Sequence, residues 1–94
     1  EPRRLVWSTL LRARAMENLA YVCGVNRVGR DAEGLVYTGD SALIDPKGRE
    51  LAALEERRIE LKIATLERAP LEKLRKKFPV YLDADEFSIV GAIL

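Results

Sequence analysis

The chain has 94 residues, 48% of them hydrophobic and 33% charged, with a formal net charge of +1. That balance is ordinary for a soluble globular chain and argues against a general nucleic-acid binder, which needs a surplus of Lys and Arg to neutralise phosphate. One cysteine and no histidine exclude an internal disulfide, a Cys/His zinc site, and any Ser-His or Cys-His catalytic pair within the chain.

No metal or cofactor is expected, and no run of ~18 apolar residues suggests a membrane span. A reducing cytoplasm is the expected compartment, with neither nucleic acid nor membrane as partner. A chain of this size buries roughly 60–68% of its extended surface when it folds alone. That is enough for one modest core.

Residues 5–20, LVWSTLLRARAMENLA, read as a helix. Apolar residues recur at helical spacing through 6, 10 and 13 and through 7, 11 and 15, and Ala, Leu, Arg and Met favour the helix. YVCGV (21–25) is a short apolar run that suits a strand buried on both faces. NRVGRDAEG (26–34) carries turn residues. LVYTGDSALID (35–45) is a second strand region, interrupted at Gly39. DPKG (45–48) has Asp, Pro and Gly at the positions a tight turn favours. RELAALEE (49–56) then returns antiparallel.

RIELKIAT (58–65) alternates, with Ile59, Leu61 and Ile63 on one face and Glu60 and Lys62 on the other. That pattern predicts a half-buried strand. Residues 66–78 read as a helix with Pro70 in its first turn and Leu71, Leu74 and Phe78 on its apolar stripe. Pro79 ends it, and 81–90 look extended. The order is helix, four or five strands, helix, extended tail. Short connections give an antiparallel or mixed sheet, and the class is α+β. The buried run at 21–25 needs cover on a second face that this chain has little left to supply.

Taken together, WSTLLRARAMENLAYVCGVNRVG, GLVYTGDSALIDPKGREL, RIELKIATL and FPVYLDADEFSI closely resemble the C-terminal part of the nitrilase superfamily of carbon–nitrogen hydrolases. The group most similar is the omega-amidases, which deaminate 2-oxo acid amides such as 2-oxoglutaramate. ARAMEN, GVNRVG, YTGDS and DPKG recur in order at family-like spacing. The resemblance implies that residues 1–94 are the C-terminal portion of one hydrolase domain, part of a four-layer α-β-β-α sandwich. It implies that 79–94 form a tail facing a second subunit of a homodimer.

The resemblance also implies acyl transfer by a Glu base, an oxyanion-stabilising Lys and a Cys nucleophile. All three lie upstream of the matching segment, so no catalytic residue is expected in this chain. Cys23, flanked by Tyr, Val, Gly and Val, is expected to be a buried small hydrophobe. A substrate-facing role falls to Trp7, Arg4, Asn26, Tyr37 and Ser41. For Trp7 the alternative is a core or interface aromatic. For Arg4 the expected role is bidentate capture of a substrate carboxylate, shared as a candidate with Arg3. Asn26, Gly29, Gly34, Tyr37, Gly39 and Ser41 make a polar rim, whose glycines are explained mostly by hairpin geometry. Arg14, Glu17 and Asn18 are expected to tie the first helix to its surroundings.

The expected function is the C-terminal portion of an amidase that hydrolyses a small-molecule amide, inactive without its upstream part. The alternative is a catalytically inactive truncated module for oligomerisation or binding. A basic-patch binder built on Arg57, Arg58, Arg68 and residues 75–77 is disfavoured by interspersed acids and the lack of an aromatic platform.

Overall fold

A computed structural model of the chain describes residues 3–91. The ends of the expected domain and tail, residues 1–2 and 92–94, lie outside the described residues. Two α-helices, five short strands and a 3-10 turn follow one another as α1 (Arg4–Asn18), β1 (Val22–Gly24), β2 (Val28–Arg30), β3 (Val36–Thr38), β4 (Ala42–Ile44), β5 (Glu50–Ala53), α2 (Arg68–Lys77) and the turn Val80–Asp83. The α+β class holds. β1, β4 and β5 form one antiparallel sheet in the order β1-β4-β5, and β2 and β3 form a separate hairpin.

Helix α1 lies on one face of the three-stranded sheet. Its closest approach is at Gly24, where a β-carbon would stand 2.6 Å from a Leu11 methyl and 3.1 Å from the Trp7 ring. Glycine is required there because the helix occupies the space of any side chain. Ala15 of the helix is fully buried and Ile44 of β4 is 2% exposed. The helix ends on Leu19 in the left-handed region, with the Leu19 and Ala20 N–H groups turned back to Met16 and Ala15 carbonyls, a Schellman closure. Arg12 donates to the Gly48 carbonyl at 2.9 Å and so ties α1 to the β4–β5 turn. Arg14 and Glu17 pair within the helix, as their i, i+3 spacing predicts, and Asn18 donates to the Arg14 carbonyl and not to a neighbouring loop.

Residues 35–45 form a strand region interrupted at Gly39, as the sequence predicts. Gly39 (φ 84°) and Asp40 (φ 58°) are both left-handed and break the ladder there. β3 pairs with β2 on one side of the break and β4 with β1 on the other, in one continuing antiparallel register. The 26–34 stretch read as turn chemistry supplies β2 itself, with the turn closed by Asp31, which accepts the Glu33 and Leu35 N–H groups at 2.9 Å. The DPKG turn forms as the sequence predicts. Asp45 Oδ1 accepts the Lys47 and Arg49 N–H groups at 2.9 Å, and Oδ2 accepts Arg49 Nε at 2.9 Å.

Three expectations fail for one reason. The strand at 58–65 is absent: the segment is extended but joins no ladder among the described residues, and Ile59, Leu61 and Ile63 are 93%, 88% and 88% exposed. Cys23 is exposed, not buried. β1 is covered on one face only. Cys23, Leu43 and Ala52 stand opposite one another across β1, β4 and β5, and alternation turns that row away from α1. Among the described residues, Lys62, Ala64 and Leu66 border the space over that row, but no helix or strand packs on it. Helix α2 buries no residue and is held by polar links, Tyr21 Oη to the Glu67 carbonyl and Arg75 Nε to the Leu19 carbonyl, each 2.9 Å.

Candidate functional site

The left-handed pair at 39–40 sets the geometry of the site. It turns the Asp40 carboxylate and carbonyl toward the first turn of α1. Arg4 Nε and Nη2 donate to the two carboxylate oxygens of Asp40 at 2.8 Å each, and Arg4 Nη1 meets Glu56 Oε2 at 2.7 Å. Trp7 Nε1 donates to the Asp40 carbonyl at 2.8 Å, and the Thr38 hydroxyl donates to Asp40 Oδ2 at 2.8 Å. The Arg4 hydrogen bonds hold the Asp40 carboxyl below its ordinary range against the opposing effect of burial, with the Thr38 hydroxyl and the Arg57 charge adding to the shift.

The same linker is gripped from its other side. The Asn26 N–H donates to Ser41 Oγ at 2.8 Å and the Ser41 hydroxyl donates to the Asn26 carbonyl at 3.2 Å. Leu54 and Arg57 N–H groups reach the Ser41 and Thr38 carbonyls at 3.0 and 2.9 Å. Residues 38–41 thus join α1, β1 and the segment after β5.

A cavity of about 490 Å³ opens beside this clasp, lined by Arg3, Arg4, Trp7, Asn26, Leu35, Val36, Tyr37, Thr38, Gly39 and Asp40. The structure brings Arg4, Trp7, Asn26 and Tyr37 together on it. Ser41 stands behind the wall, 6% exposed, and reaches the cavity only through Asn26. Tyr37 is held at the hairpin end, its hydroxyl donating to Asp31 Oδ2 at 3.2 Å and its ring 4.8 Å from the Arg27 guanidinium. Gly29 and Gly34 lie on the exposed β2–β3 hairpin, away from the cavity.

Asp40 is the residue that sequence reading passes over. The signal for it is the Gly-Asp pair inside YTGDS: Asp tolerates the left-handed region and follows a glycine where a strand breaks. Chemically the cavity offers guanidinium groups, an indole face and amide and hydroxyl dipoles. No Cys, Lys or Glu lines it, so this wall has groups suited to binding and none for acyl transfer. Among the described residues no cluster of His, Cys, Asp or Glu is arranged to hold a metal ion, and no helix is long and apolar enough to cross a membrane.

Comparison with known proteins agrees with this layout. An omega-amidase, YafV, of Escherichia coli is 48% identical over 94% of the chain and 34% of its own length. A 2-oxoglutaramate amidase of Paenarthrobacter nicotinovorans is 40% identical over 82% of the chain and 26% of its own length. The crystal structure of a CN-hydrolase superfamily protein of Xanthomonas campestris, with an arsenic adduct in its active site, superposes with a TM-score of 0.87 at 43% identity. It covers 95% of this chain and 33% of that one. The chain therefore spans about a third of the length of the first and the last of these proteins. The Carbon-nitrogen hydrolase family model matches residues 1–76, and the chain belongs to that family.

Proposed function

We propose that this chain forms one wall of the substrate site of an amidase that converts a small-molecule amide bearing a carboxylate, of the 2-oxo acid omega-amide type, into the acid and ammonia. The observation that carries this reading is the 48% identity to an omega-amidase across 94% of the chain. The cavity is consistent with it. Arg3 and Arg4 border it, and an arginine is suited to a planar carboxylate. In Trp7, Asn26 and Tyr37 it has an apolar face with a few polar groups, the usual make-up of a small-molecule site.

In this reading the Glu base, the oxyanion-stabilising Lys and the Cys nucleophile come from residues outside this chain. A thiolate adds to the amide carbon, the C–N bond breaks and ammonia leaves. Water then cleaves the thioester to release the acid. Trp7 and Tyr37 shape the pocket, and Asn26, fixed by Ser41, borders the rim. Arg4 is engaged by Asp40 and Glu56 and not set for the expected bidentate capture, so the anionic end falls to Arg3. The row of Cys23, Leu43 and Ala52 and the unpaired segment 58–65 are the surfaces that the rest of a four-layer sandwich covers.

The tail is assigned to a homodimer contact. Phe87 and Ile89 are 85% and 75% exposed, and apolar side chains gathered on a segment without its own core mark interaction surfaces. An exposed thiol fits a reducing compartment such as the cytoplasm.

The test is ammonia release by the full-length protein from a 2-oxo acid omega-amide, compared with the same amide lacking its carboxylate. Clear preference for the carboxylate form is expected. No release from either overturns the amidase reading, and it is the result that an inactive binding module predicts.

A further inference from the structure

A second cavity, of about 320 Å³, lies under α1 against the sheet, with Leu11 and Ile44 in its lining. Its lining and that of the Trp7–Tyr37 cavity have only two residues in common, Arg4 and Asp40. These are the two partners of the doubly hydrogen-bonded ion pair. The pair stands between two spaces, one rimmed by indole and phenol, the other apolar along its sheet side. Both partners are anchored beyond each other, Arg4 by Glu56 and Asp40 by the Thr38 hydroxyl. The partition is therefore stiff, and a bidentate guanidinium–carboxylate pair resists being pushed aside by a ligand.

We propose that the Arg4–Asp40 pair determines specificity by limiting the length of the acyl chain the site accepts, a proposal that rests on the amidase reading. A carboxylate-bearing amide short enough to fit the Trp7–Tyr37 cavity meets the pair as its end wall. A longer chain directed at the pair enters the second space only when the pair opens. Discrimination of this kind, by a wall and not by a charge, is worth roughly tenfold or more per methylene. Removing Asp40 or Arg4 alone changes the local charge by one in opposite directions, so a ratio that moves the same way in both variants reports size and not field.

Asp40→Gly in the full-length enzyme is the direct probe. Glycine accepts φ 58° without strain, and the backbone carbonyl that holds Trp7 stays in place. The substrates are omega-amides of dicarboxylic acids differing by one methylene. The ratio of kcat/KM for the longer amide to that for the shorter is expected to rise about tenfold in the variant. Arg4→Ala opens the partition from the other side and is expected to move the ratio in the same direction, so the test survives if either variant fails to fold. A merely structural role lowers all rates together and leaves the ratio fixed. An unchanged ratio in a folded variant of an active enzyme overturns the proposal alone. Wild-type inactivity on every chain length overturns the amidase reading, and the proposal with it.

Discussion

Asp40 and Asp45 show how much one carboxylate does in a chain with so small a core. Asp45 is buried, which by itself raises its carboxyl. The Arg49 N–H, the Arg49 guanidinium and the Lys47 N–H outweigh that effect, and the net shift is downward. Asp45→Ala leaves these donors without their acceptor and is expected to cost about 2 kcal/mol, measured by urea unfolding of the full-length protein. Both Asp45 and Asp40 lie below the ordinary 3.8 when folded. Their contribution is complete above that value and is lost as pH falls from it through the lower folded values. The unfolding midpoint is expected to decline below about pH 4, and less steeply in Asp45→Asn; equal slopes in the two proteins contradict this. Gly24→Val drives a branched side chain into Leu11 and Trp7 and is expected to cost about 3 kcal/mol. A change under 1 kcal/mol would show that α1 is not seated as described.

Among the elements, what was legible depended on whether the cause was local. The α1 stripe, the DPKG turn and α2 are set by spacing, capping and proline, and they form where the sequence predicts. The break at Gly39 is legible, but not that Asp40 also turns left-handed, which a glycine alone does not announce. The site divides the same way. Arg4, Trp7, Asn26 and Tyr37 were named from the resemblance and meet at one cavity, whereas Asp40, which ties two of them together, is recognised only once the turn is seen. Residues 58–65 carry a clear strand pattern yet form no strand here, because pairing and burial need a neighbour. Leu61→Lys is expected to leave the isolated chain unchanged and to destabilise the full-length protein by about 2 kcal/mol. Equal Tm shifts in both would mean that this face is never covered.

At the scale of the molecule, the chain is open. Its accessible surface is 7960 Å², where a compact monomer of its mass exposes about 5,500 Å². Its radius of gyration is 17.0 Å, against about 12 Å for a compact domain of the same length. The buried apolar side chains among the described residues are Ala15, Ile44 and Pro46. The modest core that the length allows is therefore not built from this chain alone. The surplus surface lies on the uncovered sheet face, the 58–65 segment and the tail. Removing residues 79–94 from the full-length protein is expected to reduce its apparent mass in gel filtration from dimer to monomer; an unchanged oligomer counts against the tail contact.

The account holds that this chain supplies a binding wall and that the reacting groups come from elsewhere in the protein. Ammonia release from a 2-oxo acid omega-amide, measured side by side for the 94-residue chain and the full-length protein, tests this most directly. Release by the full-length protein and none by the chain is the predicted result. Turnover by the chain alone would contradict the account, since it would place the nucleophile among these 94 residues.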